Sequence, residues 1–110
     1  MNDRKLSALS VDQLVELFSK FSVLQDMALL SSAQREVNQL FWKIDAVEQE
    51  LKSRPGDQRR ALLTLYDHRN IQVRLKAARA TLAITPQAAR AKLEEIAASG
   101  WQPQAAPGFG

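Results

Sequence analysis

The 110-residue chain has no cysteine. That excludes disulfides, Cys-ligated zinc, iron–sulfur clusters and thiol catalysis. It has a single histidine, so no His-rich metal site can be assembled. Aromatic residues make up only 6%, and Gly and Pro number four each. Apart from Pro55-Gly56 and Pro86, the Gly and Pro residues all fall within 100–110. No stretch approaches the roughly 20 apolar residues of a membrane helix. The N-terminus lacks an apolar segment followed by a small-residue cleavage site. Together with the absence of cysteine, these features lead us to expect a cytoplasmic protein away from membranes.

What remains is an ordinary globular mixture, 45% apolar and 25% charged. Its length suits one domain, expected over residues 1–100, with an irregular tail over 101–110. The charge is uneven. Residues 1–56 carry seven Lys/Arg against eight Asp/Glu, and residues 57–110 carry eight against four, a net of +4. A basic half either solubilises the surface or meets an acidic partner or nucleic acid.

Five helices can be read from start and stop signals. Ser10 and Gln13 form a capping-box pattern. Val11, Leu14, Val15, Phe18, Phe21 and Leu24 then recur at helical spacing, which predicts a helix to about Leu30. Ser31-Ser32 can cap a second helix. Its apolar positions, Val37, Leu40, Phe41, Ile44, Val47 and Leu51, fit within an arc of about 120°. Pro55-Gly56 stops that helix at Arg54. Asp57 can cap a third helix carrying Ala61, Leu62, Leu63, Leu65 and Tyr66. After a turn at Asp67–Asn70, Asn70 can cap a fourth helix, which should run from Ile71 to about Ile84. Thr85 can cap the fifth, which starts on Pro86 and runs to about Ser99, ahead of Gly100. No segment alternates over strand length, so the fold class is all-α.

The fourth helix carries the main architectural signal. On a wheel centred on Ala78, its apolar arc is about 200° wide, twice what an outer helix of a small bundle needs. Such a helix is packed on two sides, as in stacked helical hairpins. Arg74 falls inside this arc and requires a partner, because an unpaired buried charge is costly. Asp67 is the candidate nearest in sequence.

The series Asp67…Asn70…Val73-Arg74…Ala77-Ala78…Ala80…Ile84 resembles the second half of a HEAT repeat. The resemblance implies a right-handed stack of antiparallel helical hairpins, five helices in all, and a structural ion pair between Asp67 and Arg74. The chain departs from the pattern at Thr81-Leu82, where such repeats usually have Leu-Gly. The block from Glu50 to Ile84 also resembles one short bacterial family of single HEAT-like domains of unknown function, over roughly residues 6–100. That resemblance implies a fold and brings no activity with it.

His68 beside Asp67 could serve as a general base, or simply shape a turn. No nucleophile motif or phosphate loop accompanies it. Glu94 and Glu95 point about 100° apart and do not converge. We therefore expect no enzyme and no cofactor or metal site. Arg69, Gln72, Lys76 and Arg79 form a basic and polar stripe opposite the apolar arc of the fourth helix. It is either a solvated face or the lining of a binding surface. Arg59 and Arg60 stand in a first helical turn, where cations are mildly unfavourable. Trp42 lies about 160° from Ile44, among polar residues. It either contacts a partner or is covered by the N-terminal helix or the tail, whose Trp101 and Phe109 could dock on the body.

These features lead us to expect a non-enzymatic module that binds an unidentified protein partner, with an immunity or antitoxin-like role its most specific form. The alternative is binding of nucleic acid or another polyanion by the basic half. Because a short stack exposes its end faces, a monomer or weak homodimer is expected.

Overall fold

Ser10 starts the first long helix as its sequence predicts. Its hydroxyl accepts the Gln13 amide at 3.1 Å, and the Gln13 side chain accepts the Ser10 amide at 2.8 Å. In the structure, a computed structural model that describes residues 3–99, this helix is the second of six. The elements are α1 (Asp3–Ser7), α2 (Val11–Leu30), α3 (Gln34–Ser53), a 3-10 helix (Gln58–Asp67), α4 (Ile71–Thr81) and α5 (Pro86–Ala98). The described residues contain no strand. The expected tail, with Trp101 and Phe109, lies outside them.

Several boundaries differ from expectation, each for a local reason. The short α1 was not expected from the sequence; it is held by tertiary contact, with Leu6 2% exposed in the core. Ser31-Ser32 does not cap α3. Ser32 takes a left-handed φ of 59°, and Ala33 occupies the cap without a side-chain bond. Ser31 instead closes α2, its hydroxyl donating to the Met27 and Ala28 carbonyls. Thr85 does not cap α5 either, since its hydroxyl donates back to the Thr81 carbonyl. Pro86 nevertheless stands in the first turn of α5, where a missing N–H costs nothing. The expected extension of α4 to Ile84 ends at Thr81. There the Thr81 hydroxyl bonds the Ala77 and Ala78 carbonyls and pairs with the Tyr66 hydroxyl at 2.6 Å.

The segment read as a third helix is 3-10 throughout. Such runs are usually short, because side chains three apart eclipse one another. Here that eclipse is used: Arg59, Leu62 and Leu65 are the buried positions, spaced by threes in one column. Asp57 caps the run from a left-handed conformation, φ 54°, accepting the Arg59 amide at 3.3 Å.

The core gathers Leu14, Phe18 and Phe21 of α2 and Ile44, Val47 and Leu51 of α3, with Leu62 and Val73 from the C-terminal half. Among the described residues α2 and α3 share the most extensive helix–helix contact, and α4 packs against the 3-10 helix, α5 and α2. The two-sided burial read from the α4 wheel is present: Val73, Leu75, Ala77, Ala78, Ala80 and Thr81 are all buried. The second hairpin arm is different. No residue of α3 before Ile44 is buried, so Phe41, expected on the apolar face, is exposed. The α2–α3 hairpin thus projects its connecting end beyond the core.

Candidate functional site

The projecting half of α3 carries the most unusual surface. Trp42 is 66% exposed and Phe41 44% exposed. Their rings meet edge to face, centroids 4.9 Å apart at 83°. From α4, the Lys76 ammonium stands 5.2 Å from the Phe41 ring centre, within cation–π range. The fold therefore joins Trp42 to Lys76 through Phe41, a residue that sequence reasoning assigned to the core. The signal was there in weak form, since Phe41 sits at the edge of the α3 apolar arc.

The electrostatics of this face are strained. Burial lowers the Lys76 pKa below its ordinary value, and neighbouring Arg79 lowers it further, against the pull of Glu48 and Asp45. Burial likewise lowers that of Arg79. Glu48, half-buried on α3, is raised by desolvation and then by Asp45, while Arg59, Lys76 and Lys52 act against the rise. An opposite charge that approached Lys76 from outside would stabilise an ammonium that burial disfavours.

The remaining stripe residues do not join this patch as a unit. Arg69 and Arg79 are exposed. Gln72, expected on the outer face, is only 5% exposed. Its Nε2 donates to Gln25 Oε1 of α2 at 3.0 Å, and Gln25 Nε2 donates in turn to the Val37 carbonyl of α3. The stripe is therefore broken at its second position, because α2 packs where a solitary α4 would meet water. Trp42 is left uncovered by the expected N-terminal helix, which is α2, although α2 and α3 pack together; the tail that could cover it lies outside the described residues.

The expected Asp67–Arg74 ion pair does not form. Asp67 is exposed, and Arg74 Nη1 donates to the His68 carbonyl at 2.6 Å, while its buried Nε has no protein partner. The guanidinium caps the turn through backbone oxygen in place of the Asp67 carboxylate. His68 shapes that same turn: its Nδ1 accepts the Asn70 amide at 2.9 Å. Asn70 then caps α4, its Oδ1 accepting the Gln72 and Val73 amides.

Much of the positive charge is engaged internally. Arg59, which looked misplaced in a first turn, is buried and grips Asp57 through Nε and Nη2 at 2.9 and 2.7 Å. That bond holds the Asp57 carboxyl below its ordinary range and raises the Arg59 guanidinium. Arg54 bonds Glu50 and two α1-region carbonyls. Lys92 pairs with Glu95 and stands 5.9 Å from the Tyr66 ring centre. Among the described residues no group of His, Asp or Glu could hold a metal ion, and no helix is long and apolar enough to cross a membrane.

A comparison with the curated proteins returns no match. Among solved structures, the crystal structure of the protein RPA1889 from Rhodopseudomonas palustris CGA009 is similar, with 48% sequence identity and a TM-score of 0.88. The match covers 92% of this chain and 84% of that one. The family model described as Domain of unknown function (DUF2019) matches residues 12–108, and this chain belongs to that family.

Proposed function

We propose that the chain is a non-enzymatic protein-binding module, a short HEAT-like stack that engages its partner through Phe41 and Trp42, with Lys76 and Arg79 beside them. The observation that carries this reading is the pair of adjacent, exposed aromatics on a helix that projects from the core. Trp and Arg are enriched among residues that dominate binding energy, and large exposed aromatics are otherwise a solubility liability. The half-buried Lys76 favours a partner that offers a carboxylate next to an apolar pocket for Trp42. An immunity or antitoxin-like protein that blocks a toxin is the most specific form of this reading, and its support is fold-level analogy.

The test compares wild type with Trp42→Ala against the product of the neighbouring gene by calorimetry. The expected loss is at least about 2 kcal/mol, roughly thirtyfold in affinity. Thermal stability should stay nearly constant, because the side chain is mostly exposed. Equal binding by the two proteins would remove Trp42 from the interface.

A polyanion reading rests on Arg69, Lys76 and Arg79 lying on one helix and its leading turn. Titration of duplex DNA at about 50 and about 200 mM salt separates it, since phosphate contacts weaken steeply with salt. Binding of the protein partner through Trp42 should change little over the same range.

A further inference from the structure

Around α3 from Trp42, the hairpin holds a second surface that the reading above does not use. A groove of about 490 Å³ runs between the end of α2 and the start of α3. Leu24, Met27 and Leu40 supply its apolar walls. Ala28 and Ser31 keep it open with small side chains. Met27 is 58% exposed, and Leu30 beside it is 68% exposed. Two charges mark the α3 edge, Glu36 near its start and Lys43 further on. Neither is in an ion pair among the described residues. Lys43 lies with its ammonium 5.7 Å from the Phe21 ring centre, so its stem already hugs the protein surface.

The spacing of these charges makes the surface complementary to itself. Glu36 and Lys43 are one heptad apart, so they lie within about 20° of each other on the helix and about 10 Å apart along it. Gln39 and Leu40 stand between them along the axis, one to either side of that line. Consider a two-fold axis perpendicular to α3 that passes between Gln39 and Leu40. It brings α3 of a second copy alongside in antiparallel sense. Glu36 of each copy then faces Lys43 of the other, and Leu40 of each faces Gln39 of the other. A surface that carries one negative and one positive charge symmetrically about its centre is complementary to itself, which is what a two-fold interface requires.

We propose that this groove is the seat of a second copy of the chain, in a two-fold dimer paired through Glu36 and Lys43 across α3. The apolar patch is small beside the roughly 800 Å² per partner of a standard interface, so association is weak. The proposal is independent of the Trp42 face, which lies about 110° round α3 from the two-fold axis and stays open in the dimer.

Sedimentation equilibrium tests it on the full chain. The wild type should rise toward twice the monomer mass between about 10 μM and 1 mM. Glu36→Lys sets two lysines against each other across the axis, and Lys43→Glu sets two glutamates together. Each should weaken association at least about tenfold, because like charges then meet across the interface. The double reversal should restore the dimer. Equimolar mixing of the two single variants should also restore it, now as a heterodimer. Met27→Lys, at an exposed position, should abolish association without loss of helicity and serves if a charge reversal disturbs folding. A wild type that stays monomeric throughout overturns the proposal. So does a dimer that neither the reversals nor Met27→Lys weakens.

Discussion

Arg54 ties α1, the shortest described helix, to the long hairpin, and its replacement by Met should loosen the one without unfolding the other. Pro55 forces Arg54 into an extended conformation, φ −71° and ψ 150°, which turns its side chain off the α3 axis. From there Nη2 donates to the Leu9 carbonyl at 2.8 Å and to that of Leu6 at 3.2 Å, while Nε donates to Glu50 at 2.8 Å. A hydrogen bond from a charged donor contributes about 1.5–3 kcal/mol. The exposed part of the Glu50 pair adds only a few tenths, as i,i+4 pairs do (about 0.3–0.5 kcal/mol). Because water can reach part of the site, Arg54→Met should cost about 2–3 kcal/mol in urea melts. Amide exchange gives the sharper test. The Ala8 and Leu9 amides bond the Lys5 and Leu6 carbonyls, and their exchange should quicken at least about thirtyfold. Amides in the middle of α2 should follow only the global change. Arg54→Lys keeps the charge but lacks the fork, and should recover less than half the loss. If Arg54→Met stays within about 0.5 kcal/mol of wild type with α1 exchange unchanged, Leu6 burial alone holds α1 and the reasoning fails.

Three further outcomes follow from other contacts. Asn70→Ala removes an acceptor for two α4 amides and a donor to Asp26, so thermal melts should show a loss of about 1–2 kcal/mol; a change below about 0.3 would contradict the cap. Glu48 has a folded pKa raised above its ordinary 4.5, so the native state holds that proton more tightly than the unfolded chain. Its contribution is then fully present below pH 4.5 and is lost as pH rises through the folded pKa. Glu48→Gln should therefore stabilise at neutral pH relative to wild type, with the difference closing as pH falls towards 4.5, and a gap that stays constant with pH would refute this. In the buried amide pair, Gln72 Oε1 finds no protein donor, which costs about 1–3 kcal/mol. Gln25→Met with Gln72→Met should match or exceed wild-type stability, whereas Gln25→Met alone should lose about 1–2 kcal/mol; a double variant below the single one would show the orphaned oxygen to be satisfied in solution.

Local chemistry determined a good deal of this protein from the sequence by itself. The Ser10–Gln13 capping box, the Asn70 cap, the Pro55 stop and the Pro86 start each act within four residues, and each stands where its motif places it. The wide apolar arc of α4 likewise announced burial on two sides, because an apolar face of that width needs more than one neighbour to cover it. Tertiary structure decided what depends on which neighbour arrives. Gln72 reads as a surface residue on the α4 wheel, yet α2 covers it and offers Gln25 as a partner. Arg74 needed an oxygen, and the turn supplied the His68 carbonyl in place of the Asp67 carboxylate. Phe41 reads as core by period, but no neighbour covers it fully: it stays 44% exposed between Trp42 and the Lys76 ammonium of α4. Period and capping specify which way a side chain points from its own backbone, whereas burial and pairing depend on the lengths and crossings of elements distant in sequence.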